Sequence, residues 1–474
     1  MKNVGRREFL GLVAGGTAGL LLSGCEQQAM PSANPKSYDQ HSLAPTPPRV
    51  WNSYGCYGIV ANERVIRENL EAFAKRLKPH GYEYFVIDAG WFHEFDNPPT
   101  EEFPLNWPDK HVRIDEFGRP LVSRHFFPNG LKPIIDRAHE LDIKFGVWLI
   151  RGINRKAVEQ NLPIKGTKYR AADIANKEDL CPWWHDNYGV DMTKPGAQEY
   201  YNSIFELLAS WEIDFIKYDD IVPHPDEIEA VANAIEHCGR GMILNLSPGN
   251  DVYTKDVKSY ARSNMLRITP DVWDDRNQFD IAFERWELMQ DYVKGNGFYI
   301  DMDQIPFGHI MIWNKMPPGT PKEKAGEYDR MDKLTLSQKE NFMTQRALVA
   351  SPLIMSGDLP TTDELSFRLI TDPEMLACNN NAVTGKLAYR QKTMDIWRTP
   401  NRRKPNAGWL GIFNRSQGPA TFIVNKQQMG LDTKRSYKFY DIWKRRTIRD
   451  VDEFKFEIEA DGVVFLKYQP AGLF

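Results

Sequence analysis

The sequence has little that would suggest a metal, redox or nucleotide site. Its 474 residues include five cysteines, and these lie far apart without a CxxC pair or a spacing typical of zinc sites. No HExxH, GxSxG, GxGxxG or P-loop motif occurs. Any disulfide pairing among Cys56, Cys181, Cys238 and Cys378 is left open by their spacing. The chemistry of the protein must therefore rest on other residues.

Neither sign of charge dominates. Lys and Arg total 60 and Asp and Glu total 64, so the formal net charge is −4. This balance gives no reason to propose nucleic acid or an anionic membrane surface as a partner. The length allows more than one domain, or one large barrel with an appended module.

The N-terminus contains an apolar run too short to span a bilayer comfortably. Arg6 and Arg7 precede this run and resemble a Tat export signal, and "LLSGC" resembles a lipobox. Residues 1–25 are thus predicted to be a lipoprotein signal, with Cys25 as the lipidated residue; an uncleaved anchor helix is the alternative. The polar, proline-rich residues 26–48 suit a flexible tether. The expected location is the periplasm or outer membrane of a bacterium, with this anchor as the membrane contact.

Beyond the tether, short apolar β-type runs alternate with amphipathic segments. In the segment that begins "NERVIRENL", Ile66, Leu70 and Phe73 recur at helical spacing. Eight β-then-α units predict an α/β fold, a (β/α)8 barrel over residues 49–384, rather than a doubly wound sheet. The eight runs are "RVWNSYG", "YEYFVIDAGW", "KFGVWLIRG", "DFIKYDD", "GMILNLSPG", "MLRITPDVWDD", "GFYIDMDQ" and "PLIMSGDL".

Polar residues follow the apolar part of these runs, and a barrel builds its active site at the C-terminal ends of its strands. A single aspartate at such a place is readily explained as a helix N-cap. Six aspartates around one ring are explained less well in this way, so a shared site rich in carboxylates is predicted. The residues at the strand ends are Trp51, Asp88, Trp148, Lys217, Asp219, Arg267, Asp271, Asp301, Asp303 and Asp358.

The C-terminal residues 385–474 have a different pattern. Segments such as "KFYDIWKRRTIRD" alternate apolar with polar residues, lack helical periodicity and are separated by turn residues. This pattern predicts a small antiparallel β-sandwich domain, and we find no cluster of candidate catalytic residues in it.

Several of the strand-end sequences are similar to motifs of one family. "VWNSYG" is similar to "GWNSW", "GYEYFVIDAGW" to "GYxYxxiDDxW", and "LVASPLIMSGDL" to "xxxaPLxxSnDl". "IDFIKYDD" and "LRITPDVWDD" resemble a nucleophile strand and an acid/base strand. Together these motifs, in this order, resemble the glycoside hydrolases of clan D, family 27 in particular, whose familiar members are α-galactosidases. The likeness covers nearly the whole mature chain.

The resemblance implies a retaining exo-glycoside hydrolase, with Asp219 as nucleophile and Asp271 as general acid/base. Such enzymes place two carboxyl groups ~5–5.5 Å apart. Lys217 lies two residues before Asp219, so both side chains point to one side of the strand, and a nearby cation favours the ionised nucleophile. Asp271 is expected to be protonated at rest. Trp51, Asp88, Trp148, Lys217, Ser247, Arg267 and Asp303 would bind the terminal sugar of an oligo- or polysaccharide.

Two positions depart from the family's pattern. The galactose enzymes carry two adjacent aspartates after the second strand, whereas here the pair is Asp88 and Ala89. Ser247 stands about where those enzymes place a glutamate that binds the 2-hydroxyl. The sugar is thus less determined than the chemistry: a β-L-arabinopyranoside or an α-glucan is an alternative to an α-galactoside, and a non-catalytic glycan-binding protein is a further one. The two carboxylates supply nucleophile and proton, so no cofactor is required. The oligomeric state is left open.

Overall fold

The structure is a computed structural model, which describes residues 39–103, 109–316, 319 and 322–472. The predicted signal with Cys25, and most of the predicted tether, lie outside the described residues. The described residues belong to one compact unit. The last residues of the predicted tether pack against this unit, because the Gln40 amide donates to the carbonyl of Met242 at 2.7 Å. Among the described residues, no helix has the length and apolar character needed to cross a membrane.

Eight parallel strands form the first part of the fold. They pair in the order β7-β6-β5-β4-β3-β2-β1-β8. All residues of β1, β2 and β5 are buried, as expected for parallel strands covered on both faces. The strands are β1 (Arg49–Asn52), β2 (Tyr84–Ile87), β3 (Lys144–Ile150), β4 (Phe215–Asp219), β5 (Ile243–Leu246), β6 (Met265–Arg267), β7 (Tyr299–Asp301) and β8 (Leu353–Met355).

A short continuation of the seventh strand closes the sheet. β7 pairs with β6, and the next extended residues, Gln304–Ile305, pair in parallel with β8. The chain from Tyr299 to Ile305 thus contacts both neighbours and completes a barrel. Each of the eight strands lies within the run predicted from the sequence, which confirms the (β/α)8 fold class.

Helices follow the strands and have the expected signals at their ends. The side chain of Asn62 caps Glu63–Arg76 by accepting from the Val65 amide, and Pro225–Cys238 ends at Gly239, whose φ is 72°. The other α-helices are Tyr54–Tyr57, Lys132–Glu140, Arg155–Glu159, Ala171–Ile174, Ala197–Ser210, Val257–Tyr260, Asn277–Met289, Leu336–Val349, Glu364–Ile370 and Pro373–Asn379. The 3-10 helices are Gln40–Leu43, Lys78–His80, Thr254–Asp256 and Lys322–Glu327.

Short strands form small antiparallel sheets in the loops at the C-terminal end of the barrel. The third strand continues past Ile150 into a three-stranded sheet, and the loop after β2 forms a hairpin. These strands are His93–Phe95, Lys110–Val112, Ile153–Asn154, Ala175–Asn176, Asn187–Val190, His309–Ile310 and Arg330–Met331.

The C-terminal part is an antiparallel β-sandwich, as predicted. A six-stranded sheet in the order β9-β10-β11-β16-β13-β14 faces the two-stranded sheet β12-β15 across an apolar core. On the barrel side, Trp286 stacks on Trp397 with ring centroids 3.8 Å apart. The strands are β9 (Lys386–Gln391), β10 (Met394–Pro400), β11 (Gly408–Asn414), β12 (Ala420–Asn425), β13 (Tyr437–Asp441), β14 (Arg446–Ile448), β15 (Glu453–Ile458) and β16 (Val463–Pro470). The four cysteines after Cys25 are all free thiols.

Candidate active site

A cleft of about 590 Å³ opens at the C-terminal ends of the barrel strands. Both predicted catalytic carboxylates, Asp219 and Asp271, line it. Parallel strands end at one edge of their sheet, so residues that are far apart in sequence meet there. The other residues that line the cleft are Tyr54, Ile59, Asp88, Ala89, Trp148, Trp183, Trp184, Lys217, Pro248, Asn250, Arg267 and Pro270.

Asp219 is the last residue of β4 and is held from the neighbouring strand. The Trp148 indole donates to Asp219 Oδ2 at 2.7 Å, and Lys217 Nζ lies 4.0 Å from the same oxygen. Lys217 and Asp219 project to one side of β4, as their spacing of two residues predicts. Asp219 Oδ1 has no hydrogen-bond partner among the described residues. One oxygen is therefore fixed by a hydrogen bond, while the other is buried and accepts none from the described residues.

Asp88 lies beside Lys217 at the floor of the cleft. Its Oδ2 accepts from Lys217 Nζ at 3.0 Å and from the Asn52 amide at 2.7 Å, while its Oδ1 accepts from the backbone N–H of Ala89 at 2.8 Å. Burial lowers the pKa of Lys217, but the carboxylates of Asp88 and Asp219 raise it more, so the pKa lies above its ordinary value. The lysine thus stays charged between the two carboxylates.

Arg267, the last residue of β6, organises the opposite side of the cleft. Its Nη2 forms an ion pair with Asp271 and lies 3.5 Å from Asp303 Oδ2, and its Nη1 donates to Ser247 Oγ at 2.9 Å. Burial lowers the pKa of this guanidinium, but the carboxylates around it raise the pKa more. Arg267 therefore stays charged. Arg267 is therefore shared between a cleft-lining carboxylate and a buried one.

The protonation of Asp271 differs from the sequence prediction. Partial desolvation by the surrounding cleft raises the pKa of this carboxyl, but the Arg267 guanidinium lowers it more, so the pKa lies below its ordinary value. The prediction that Asp271 is protonated at rest is thus wrong for this arrangement. The direct ion pair with the Arg267 guanidinium is the physical reason.

Asp303 and Asp301 lie behind this ion pair. Asp303 has a left-handed φ of 62°, accepts from the Val272 amide at 2.7 Å, and donates its own amide to Asp301 Oδ1 at 2.8 Å. Burial raises the pKa of both carboxyls, that of Asp301 to about 6. These contacts fix the strained backbone at Asp303 and so fix its carboxylate against Arg267.

Besides Asp303, two of the predicted sugar-binding residues are buried and do not line the cleft. Trp51 is fully buried, stacks on Phe85 with centroids 4.4 Å apart and donates its indole N–H to the carbonyl of Gly357 at 2.9 Å. Ser247 is also fully buried and accepts from Arg267. Neither residue is among those that line the cleft, so a direct contact of either one with a sugar stays a prediction.

Three aromatic residues that were not predicted from the sequence also line the cleft: Tyr54, Trp183 and Trp184. Tyr54 follows β1 directly, and its ring lies 5.4 Å from Lys217 Nζ. The rule that strand ends line the site would have found Tyr54. Trp183 and Trp184 lie in the loop between the short strands Ala175–Asn176 and Asn187–Val190, where no periodicity marks them.

A buried charge network lies directly behind Asp219. The backbone N–H of Arg151 donates to the Asp219 carbonyl at 3.0 Å, and its guanidinium binds Asp179, Asp220 and Glu227 at 2.8–3.1 Å. Asp179 and Glu227 also form, with His224, a group whose ligand atoms lie close enough to hold a metal ion. Arg151 already pairs with both carboxylates of this group, so its charge leaves little need for a cation there.

Comparison with known proteins gives the family. Family models described as "Melibiase" and "Alpha galactosidase A" match residues 62–238 and 184–381. A family 27 β-L-arabinopyranosidase from Geobacillus stearothermophilus superposes with a TM-score of 0.83 at 33% identity, over 93% of this chain and 100% of that one. The chain belongs to glycoside hydrolase family 27. A second family 27-like structure, a putative α-N-acetylgalactosaminidase from Bacillus halodurans C-125, is also 33% identical, with a TM-score of 0.76 over 90% of this chain and 97% of that one.

Curated relatives of this family 27 member are more distant in sequence. The α-galactosidase of Cyamopsis tetragonoloba is 22% identical over 92% of this chain and 90% of its own length. α-Galactosidase A of Cellvibrio japonicus is 22% identical over 92% of this chain and 95% of its own length. The family 27 chain is thus a glycoside hydrolase whose fold and length match those of its relatives.

Proposed function

We propose that this family 27 protein is a retaining exo-glycoside hydrolase that releases terminal α-galactoside-like sugars by double displacement. One observation carries the proposal: Asp219 and Asp271 line the same cleft, each beside its own cation. Two carboxyl groups that flank one bond are what retaining hydrolysis requires. A non-catalytic binding protein would not need both carboxylates in the cleft.

In the first step, Asp219 attacks the anomeric carbon of the terminal sugar, and the bond from that carbon to the leaving oxygen breaks. Asp271 gives its proton to this oxygen. Lys217 Nζ places a positive charge 4.0 Å from Asp219 Oδ2, and the Trp148 indole donates to the same oxygen. The product of this step is a glycosyl ester of Asp219 and a free leaving group.

In the second step, Asp271 takes a proton from water while the water oxygen attacks the anomeric carbon and expels Asp219. The lowered pKa of Asp271 suits this state, in which it must be a carboxylate. For the first step it must gain a proton. Arg267 Nη2 also lies 3.5 Å from Asp303, so a shift of the guanidinium toward Asp303 would free Asp271 to take up that proton.

A β-L-arabinopyranoside is the second candidate substrate, and Ala89 favours it. This residue lines the cleft beside Asp88, where the family's galactose enzymes carry a second carboxylate. β-L-Arabinopyranose has the ring arrangement of α-D-galactose without the hydroxymethyl group, so it would not need that acceptor. The β-L-arabinopyranosidase of Geobacillus stearothermophilus, at 33% identity, is consistent with this candidate.

Assays on matched aryl glycosides test the proposal. The full-length enzyme should hydrolyse the aryl α-D-galactopyranoside, the aryl β-L-arabinopyranoside or both, and leave the aryl α-glucoside intact. Proton NMR of the first product should show the anomeric configuration of the substrate. An inverted first product would contradict double displacement, and binding without hydrolysis of any glycoside would favour the non-catalytic alternative.

The same proposal includes export and tethering. The twin arginines Arg6 and Arg7 and the "LLSGC" sequence support a lipoprotein in which a lipid on Cys25 holds the enzyme at a bacterial membrane. Metabolic labelling with a fatty acid should label the wild-type protein but not the Cys25→Ala variant. Label that persists on the variant would contradict this location.

A further inference from the structure

Three tryptophans line the cleft from its floor to its rim, and we call them the tryptophan row: Trp148, Trp184 and Trp183. Trp148 binds the nucleophile. Its ring centroid lies 4.8 Å from that of Trp184, which lies 6.4 Å from that of Trp183. Exposure rises along the row from 1% to 8% to 47%. The row therefore leads from the reacting carboxylate to solvent.

The middle of the row is held firmly. His93 stacks on Trp184 with ring centroids 5.1 Å apart and an interplanar angle of 16°, and Lys110 Nζ lies 5.3 Å from the centre of the Trp184 ring. Trp183 contacts Trp184 at an interplanar angle of 74°. A fixed Trp184 thus supports an exposed Trp183 at the rim of a cleft that is otherwise rich in charge.

Trp183 remains 47% exposed although it contacts Trp184 edge-on. Trp183 continues the apolar surface of Trp148 and Trp184, and a contiguous apolar surface beside polar residues marks a ligand-binding groove. The flat indole presents an apolar face with a polar N–H, which matches a sugar ring with its axial C–H groups on one face and hydroxyls at its edge. Trp183 is therefore suited to stack on a pyranose.

The catalytic groups indicate which sugar reaches Trp183. Asp88 and Asp219 are buried at the floor, whereas the Asp271 side chain is 55% exposed. Asp271 must reach the leaving oxygen, so the leaving group extends toward the open side of the cleft. We propose that Trp183 forms a binding site for the leaving-group sugar, so that the enzyme prefers glycans over glycosides with small leaving groups. This inference rests on the proposed function.

Two substrates with the same terminal sugar test it: an α-1,6-linked galactosyl-glucose disaccharide and α-galactosyl fluoride, whose leaving group has no ring. Trp183→Ala should lower kcat/KM on the disaccharide roughly 5- to 10-fold, the effect of about 50 Å² of apolar surface withdrawn from water. On the fluoride it should change kcat/KM less than about 2-fold. Trp183→Tyr, which keeps an aromatic face, should recover most of the disaccharide activity. Tyr292→Ala is the matched control, since this side chain is 50% exposed and lies before β7, at the other end of the barrel.

Binding separates this inference from the proposed function. Calorimetry on Asp219→Asn, with and without Trp183→Ala, should show weaker disaccharide binding in the double variant but equal galactose binding. If the wild-type protein hydrolyses neither of these substrates nor the aryl β-L-arabinopyranoside, yet this difference in binding appears, the proposed function fails and the sugar site stands. Equal losses on disaccharide and fluoride, or no loss on either, would overturn the site while leaving the hydrolase intact.

Discussion

The two halves of the cleft hold their carboxylates in different ways. In the half built from β2, β3 and β4, the Asp219 side chain is 12% exposed, accepts from the Trp148 indole and lies 4.0 Å from Lys217 Nζ. In the half built from β5, β6 and β7, the Asp271 side chain is 55% exposed and pairs directly with Arg267. The first arrangement fixes an anion in place. The second leaves a carboxylate access to solvent, as the proposed proton exchange requires, and its cation also lies 3.5 Å from Asp303 Oδ2.

Among substitutions that test this comparison, Asp219→Asn should have the largest effect on turnover. The amide has nearly the same shape, but it cannot attack the anomeric carbon, so turnover should fall below about 1% of wild type while the fold is kept, a loss larger than ~10²-fold. Steady-state assays and thermal melting would measure both. Asp214→Asn is the matched control, because it makes the same change just before β4, at the opposite end from Asp219. The Asp214 carboxylate lies 2.9 Å from the His139 ring nitrogen. This variant should keep turnover. Activity above a few per cent in Asp219→Asn would end the nucleophile assignment.

Asp271→Ala should have a smaller effect that depends on the leaving group. A general acid matters most for poor leaving groups, so the loss should be ~10²-fold or more on a disaccharide and much less on an activated aryl glycoside. Azide should speed breakdown of the glycosyl-enzyme, because an anion needs no general base. Equal losses on both substrates would make Asp271 a structural residue or a sugar ligand.

Asp301→Asn tests the buried carboxylate that binds the Asp303 amide beneath the second half of the cleft. Burial raises its pKa to about 6, above the ordinary value of 3.8. The folded state therefore binds this proton more tightly than the unfolded state, and the stability it contributes is complete below pH ~4 and lost as pH rises through ~6, by up to about 3 kcal/mol. Asp301→Asn should flatten this part of the pH dependence of the free energy of unfolding, measured by denaturant titration. An unchanged difference between pH 4 and pH 7 would contradict the assignment.

Ala89→Asp changes the first half of the cleft and should have the smallest effect, a change in kcat/KM that depends on the sugar. A restored carboxylate beside Asp88 should raise kcat/KM on an aryl α-galactoside by up to ~10-fold, the value of one regained hydrogen bond of about 1.4 kcal/mol. It should lower kcat/KM on the aryl β-L-arabinopyranoside, which offers no hydroxymethyl group to the new charge. Ala89→Asn is the control, since it adds polarity without charge. A wild-type enzyme already efficient on α-galactosides and unaffected by Ala89→Asp would show that the missing carboxylate does not select the sugar.

Regular strands made part of the site predictable from the sequence. The period of two places Lys217 and Asp219 on one side of β4, and the barrel topology brings them to the same cleft as Asp271. The division into domains at residues 384 and 385, and the roles of the predicted site residues, stay predictions.

The rest of the site depends on irregular backbone. The ion pair of Asp271 with Arg267 is set by the loop after β6, where Asp271 lies outside any strand. Sequence spacing gives no direction for a side chain in such a loop, so the lowered pKa of Asp271 was not predictable. Trp183 and Trp184 come from a loop for the same reason. Trp51 lies in a strand, but its hydrogen bond to Gly357 depends on a partner some three hundred residues away.

Trapping the covalent intermediate tests the central claim most directly. The full-length enzyme would be treated with a slowly reacting fluorinated α-galactosyl fluoride, and with its β-L-arabinopyranosyl counterpart, before mass spectrometry of the intact protein and its peptides. We expect one added sugar on the peptide that contains Asp219, and none on the Asp219→Asn variant. A sugar on the Asp271 peptide instead, or turnover of these reagents with no covalent adduct at any time, would contradict double displacement through Asp219.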